Sequence, residues 1–248
     1  MSENQPAPAV SQPLVEHLLE LRRRLMWIVG ILLLALGAMV PFAQQLYTFV
    51  AQPLMATLPV GSSMIATDVI APFFVPLKVT LMAAFLLTLP HTLYQVWAFV
   101  APALYQNEKR LVFPLVLSSF LLFAAGMAFA YFLVFPVVFK FLTSMTPDGV
   151  NMATDIDKYL SFILGMFVAF GMTFEVPVVV VLLQRMGVVS VEQLQKARPY
   201  VIVVAFVIAA IVTPPDVISQ TLLAVPLIVL YEVGILVCRV TGSSKVQN

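Results

Sequence analysis

Apolar residues along this chain gather into long runs that polar and charged segments separate, and the run lengths predict the elements. Runs at about 25–43, 79–104, 111–139 and 159–183 are long enough, at about 1.5 Å per helical residue, to cross roughly 30 Å of hydrocarbon. Two shorter candidates follow at 200–212 and 219–238. The first lies between Pro199 and the pair Pro214 and Pro215, and the apolar part of the second, Thr221–Cys238, is interrupted by Glu232. As helices these two reach roughly 20 and 27 Å, so they either thin the bilayer or pack against longer neighbours. The pattern therefore predicts an all-α, polytopic membrane protein of six transmembrane helices in a single integral domain, 1–248, with spans five and six short.

The flanking segments carry patterns of their own. In "VEHLLELRRRL", Glu16 and Glu20 share a helical face at i, i+4, while Leu14, Leu18, Leu21 and Leu25 form an apolar stripe. Residues 1–24 are thus expected to end in a polar-faced helix. About 23 mostly polar residues precede an apolar run of 19, longer than the 7–15 or so of a secretory signal, so the run is expected to be a retained first span. In the loop 44–78, Leu46, Tyr47, Val50, Leu54 and Leu58 recur at helical spacing, which predicts a short interfacial helix. No internal repeat relates the first three spans to the last three.

Composition supports the membrane reading and narrows the chemistry. The chain is 61% hydrophobic and 10% charged, with mean hydropathy +1.02, against roughly 25% charged in a soluble domain. A single cysteine, Cys238, excludes an internal disulfide framework, and two separated histidines, His17 and His91, do not suggest a metal cluster. No cofactor and no nucleic-acid partner is implied. Ten Lys and Arg fall in the N-terminus, the even loops and the tail, against Lys78, Lys140 and Lys158 in the odd loops. The positive-inside rule then puts both termini in the cytoplasm.

No HExxH, GxSxG or Cys/His nucleophile motif is present, so binding and conduction are favoured over catalysis. The acidic residues are then the informative ones. Glu175 in "FGMTFEVPVVVVLL" stands well inside span four, where a carboxylate needs a partner, a wet cavity or a function. Pro177 removes the donor for the carbonyl near Thr173, which opens a polar notch beside it. Glu108, rimmed by Phe99 and Tyr105 in the loop after span two, either serves the next helix N-terminus or holds a cationic group between carboxylate and aromatic faces. Glu20 either pairs with Arg23 or Arg24 or serves an incoming basic segment. Asp216 suits an N-cap for span six, and Thr213 and Gln220 make that hairpin end polar.

Taken together, "HLLELRRRL", "ATDVIAPFFVPLKV", "YQVWAFVAPALYQNEKR", "GMAFAYF", "FGMTFEVPVVVVLL", "KARPY" and "TPPDVISQTLLAVP" strongly resemble, in order and over nearly the whole length, the TatC family. Its members are the multispan core of the twin-arginine protein translocase. The resemblance implies a concave, glove-like bundle in the bacterial inner membrane. It implies recognition of twin-arginine signal peptides on folded cargo, partnership with the single-span TatA and TatB, homo-oligomers in the receptor complex, and export driven by the proton-motive force. By motif it implies signal contact at Glu20, Phe99 and Glu108, an intramembrane polar role for Glu175, an outer cap including Pro53, Phe73 and Asp216, and a partner-helix contact at Thr213 and Gln220. Two rival classes are a proton- or sodium-coupled small-solute transporter using Glu175 and an intramembrane enzyme.

Overall fold

The computed structural model describes residues 12–55, 64–100, 112–145, 153–213 and 216–242. Helix α1, Gln12–Met39, passes through a 3-10 turn at Val40–Phe42 into α2, Ala43–Met55. Pro41 sits at the start of that turn, where its missing N–H costs nothing. Helix α3 spans Ala71–Val100. The next apolar run folds as α4, Val112–Phe129, a π-helical turn at Ala130–Val134, and α5, Phe135–Ser144. Pro136 explains the π turn, because its ring opposes the carbonyl four residues back and offers no donor, and a wider turn relieves both defects. Then come α6, Ile156–Arg185, the short α7, Val191–Lys196, α8, Arg198–Val212, and α9, Val217–Gly242.

The described residues are all-helical apart from one isolated bridge, Ile65 to Asp155. Among the described residues, five stretches are long and apolar enough to cross a membrane: Val15–Gln52, Ala71–Val100, Phe113–Ser144, Ile156–Arg185 and Val217–Val240. Helix α8 is a shorter apolar helix of 15 residues. The structure thus differs from the sequence expectation at the last span. Of the two segments expected to be short, only α8 is; α9 runs for 26 residues, because Asp216 starts it early and Glu232 has a partner and so does not interrupt it. The second span also starts earlier than 79, at Ala71. Pro72 suits a first turn, and Ala71, Val75 and Val79 form one buried stripe at a spacing of four. Side chains such as Leu34 and Ile211, 76% and 78% exposed, form an apolar exterior suited to lipid.

Inside hydrocarbon, lipid tails are as apolar as leucine, so helices associate through close packing and polar contacts rather than by escaping water. Helix α6 sits at the centre, packed against α4 on one side and α9 on the other, with α3 alongside; α1 lies on α3 and α8 on α9. Leu160, Ile163, Met166 and Phe170 of α6 are fully buried, as are Val134, which ends the π turn, and Phe135 and Val138 beyond it. Three glycines set the closest approaches. A Cβ at Gly126 would run into the Phe170 carbonyl, and one at Gly171 into the Phe123 ring; at Gly234 it would lie 3.1 Å from Pro177 Cα. Helix α6 ends in a Schellman motif: Gly187, at φ +72°, donates to Gln184 O and Val188 donates to Leu183 O, at 3.0 and 3.1 Å.

At the α2 end of the bundle a polar strap ties the chain before α3 to the start of α6. Ile65 N donates to Thr154 O (3.0 Å) and Ile156 N to Ile65 O (2.9 Å). Lys78 pairs with Asp157 at 2.5 Å. Asp155 is the N-cap of α6, accepting at Oδ1 from the N–H groups of Asp157 and Lys158, both at 2.9 Å. Its Oδ2 accepts from the Thr67 N–H at 3.1 Å and from the Thr67 hydroxyl. These donors, the Thr67 hydroxyl foremost, bring the Asp155 carboxyl down to about 2 from its usual 3.8.

Two outcomes follow from this packing. Gly126→Ala lowers the thermal midpoint of the purified protein in detergent, the direction of an overpacked contact costing about 1–3 kcal/mol. Gly165→Ala, where nothing lies within 4 Å, leaves the midpoint unchanged or raises it; equal effects of the two would contradict the close approach of α4 to α6. The strap gives a pH signature. Because the folded-state pKa of Asp155 is depressed, its contribution is complete above the unfolded value near 3.8 and is lost as pH falls through about 2. The difference in thermal midpoint between wild type and Asp155→Asn is therefore constant at neutral pH and narrows below about pH 4.

Candidate functional site

At the end of the bundle that carries Arg22, Arg23 and Arg24, α1 and α3 run antiparallel and join through polar side chains. Arg24 grips Oε1 of Glu20 through Nη2 at 2.5 Å and Nε at 3.0 Å, an i, i+4 pair. Its Nη1 reaches across to Gln95 Oε1 on α3 at 3.1 Å. One turn further along α3, Phe99 stacks on His17 of α1 with ring centroids 4.3 Å apart and planes 18° apart. Glu20 lies between these two cross-helix contacts. Both Arg24 bonds to Glu20 fall on Oε1, and Oε2 of this partly exposed carboxylate has no partner among the described residues. Glu20 and Phe99 are thus brought to one seam, next to a charged and an aromatic surface. Glu108 lies outside the described residues.

Glu175 stands mid-way along α6. Both its carboxylate oxygens are shielded from solvent and have no hydrogen-bond partner among the described residues. Leaving a buried carboxyl without a donor is costly, so packing alone does not account for a glutamate here. Polar groups on the neighbouring helices include Ser119 of α4, which lies within reach of the Glu175 carboxyl, and Trp97 of α3, whose Nε1 donates to Ser119 Oγ at 3.0 Å in a buried contact. Thr173, one turn before Pro177, is itself buried.

A third polar group marks the turn between α8 and α9. Asp216 caps α9, its Oδ1 accepting from Ser219 N at 2.7 Å, as expected of an N-cap. The other oxygen, Oδ2, is buried and unpartnered among the described residues. Thr213 is buried and returns its hydroxyl to Ala209 O at 2.8 Å. Gln220 of α9 donates to Phe206 O of α8 at 3.1 Å, tying the two helices together. At the α2 end, Pro53 belongs to α2. Phe73 stands on the first turn of α3 rather than in a loop, 70% exposed and edge-on to Phe74.

Several participants escaped sequence reading. His17, Gln95 and the reach of Arg24 are cross-helix features; the only local signal is that 17, 20 and 24 share one helical face, as do 95 and 99. Glu232, read as an interruption, pairs with Arg198 of α8 at 2.6 Å, a contact between residues 34 apart in sequence. Ser119 and Trp97 carried no signal against their apolar surroundings. An apolar cavity of about 230 Å³ lies beneath α2, lined among others by Phe49, Met82, Tyr131 and Phe167.

Comparison with known proteins supplies the remaining context. The profile of the TatC family, described as Sec-independent protein translocase protein (TatC), matches residues 16–226. The TatC protein of Haemophilus influenzae is 52% identical over 229 residues, 92% of this chain and 90% of that protein. The TatC of Escherichia coli K12 is 54% identical over 229 residues, 92% of this chain and 89% of its own. A crystal structure of the twin-arginine translocase receptor TatC superimposes with TM-score 0.80 at 40% identity, covering 91% of this chain and 99% of that one.

Proposed function

The chain belongs to the TatC family of Sec-independent protein translocase proteins, and from that premise we propose that it is the receptor and core subunit that binds twin-arginine signal peptides. It is a multi-pass membrane protein of the protein-transport class. On our reading it lies in the bacterial inner membrane with six spans and both termini cytoplasmic. The ten-to-three distribution of Lys and Arg supports that orientation. With TatA and TatB it supports export of folded precursors driven by the proton-motive force, and the receptor complex holds more than one copy.

The observation that carries the proposal is the α1–α3 seam. A signal arginine entering there meets Oε2 of Glu20 while Arg24 keeps Oε1, and it meets the Phe99 ring beside His17. A planar guanidinium suits both surfaces, because it can bond a carboxylate through two donors and stack on an aromatic ring, whereas an ammonium does neither as well. Glu108, eight residues beyond the end of α3 in the sequence, supplies a second carboxylate for the second arginine. The apolar part of the signal then runs along the bundle toward Glu175. Pro53, Phe73 and Asp216 belong to the cap on the outer side. Thr213, at the end of the short α8, and Gln220, in the first turn of α9, offer the polar contact for a partner's single span, where a helix of 15 residues leaves the bilayer locally thin.

Inner-membrane vesicles containing the protein are expected to bind a Ser-Arg-Arg signal peptide at least about tenfold more tightly than its Lys-Lys twin. Glu108→Gln and Glu20→Gln each reduce that preference. Equal, salt-sensitive binding of both peptides would reduce the seam to general electrostatic attraction and overturn the assignment.

A further inference from the structure

We propose that Ser119 is the positioning residue for Glu175, and that Trp97 holds Ser119 in place for that role. The register of two antiparallel helices carries the inference. Gly126 of α4 faces Phe170 of α6, and Phe123 faces Gly171. Ser119 lies four residues before Phe123 and Glu175 four residues after Gly171. One further turn along each helix, in opposite chain directions, therefore brings Ser119 opposite Glu175.

The hydrogen-bonding inventory fits that placement. Ser119 is fully buried. Its oxygen accepts from Trp97 Nε1 at 3.0 Å, and for its own proton the Glu175 carboxyl is the acceptor within reach, at longer than a full hydrogen bond. A serine hydroxyl donates once and accepts twice, so the Trp97 bond fixes the side chain and leaves that proton to give. Glu175 has the complementary need: its two oxygens are buried and make no full hydrogen bond, and Ser119 is near enough to act on the carboxyl. A small rotation of the glutamate side chain joins them into a chain from Trp97 through Ser119 to Glu175, across α3, α4 and α6. When the carboxyl turns toward a substrate or a partner helix it leaves Ser119, and when it is unengaged it returns. The competing account is that Ser119 is only a small residue admitted by tight helix packing. This inference rests on Glu175 being a working group of the translocase.

The test uses the full chain, in membranes with its two single-span partners for transport and purified in detergent for spectroscopy. The infrared carboxyl band that disappears in Glu175→Gln reports Glu175 itself. Ser119→Ala shifts that band, slows translocation of a twin-arginine precursor about fivefold, the scale of one lost hydrogen bond, and adds nothing further when combined with Glu175→Gln. Trp97→Phe shifts the same band in the same direction. An unmoved band in Ser119→Ala, or rate losses that multiply in the double variant, would overturn the proposal and leave Ser119 a packing residue. If Ser119→Ala does not reach the membrane, Ser119→Cys, close in size and a weaker donor, must shift the band in its place, and failure to do so counts equally against the idea. Wild-type transport by Glu175→Gln would instead sink the functional reading of Glu175, while the band still decides whether Ser119 holds it.

Discussion

The close approach of α4 to α6 is the contact on which the rest of the bundle depends. In a bilayer there is no water to drive two apolar helices together, so a tight interface has to come from shape and from the few polar groups it can satisfy. Gly126 and Gly171 provide the shape, letting the Phe170 carbonyl and the Phe123 ring occupy space that a methyl group would fill. The same register fixes where Glu175 stands, because a carboxyl one turn from Gly171 has to face α4. The central helix then receives α9 on its other side through Gly234, so one helix organises most of the fold and also carries its least satisfied polar group.

Polar contacts near the helix ends hold this apolar centre in register. At one end, Arg24 bridges Glu20 and Gln95, and His17 stacks on Phe99. At the other, the strap built on Asp155, Thr67 and the Lys78–Asp157 pair fastens the chain before α3 to the start of α6. The Arg198–Glu232 pair does the same for α8 and α9. Side chains that cross between helices near the membrane boundary cost less to hold charged than ones at its centre. That leaves Glu175 as the interior exception.

Much of this was legible from the chain itself. Apolar run length gives the first four long apolar helices to within a turn or two at most ends, and the 13-residue run between prolines gives the short α8. The N-cap role of Asp216 follows from its position before an apolar run, and the amphipathic spacing from Leu46 onward gives a helix where α2 stands. What the pattern could not give were pairings between distant residues. Glu232 read as a flaw in the last span because its partner, Arg198, belongs to the previous helix. The start of α3 lies earlier than the sequence pattern predicts because Lys78 with Pro72 and Pro76 looks like a loop, although Ala71, Val75 and Val79 continue the buried stripe. Ser119 is one of two adjacent serines in an otherwise apolar run, and only the helix register reveals what it faces.

The central claim is that this chain is the core of a multi-subunit protein translocase rather than a solute carrier that works alone. Proteoliposomes under a proton-motive force test it directly, by measuring protection of a folded twin-arginine precursor from external protease and accumulation of small solutes. The account predicts precursor movement only when this chain and both single-span partners are present, and no solute uptake by the chain alone. Solute accumulation by the chain alone, abolished by Glu175→Gln, together with no precursor movement by the complete set, would contradict it.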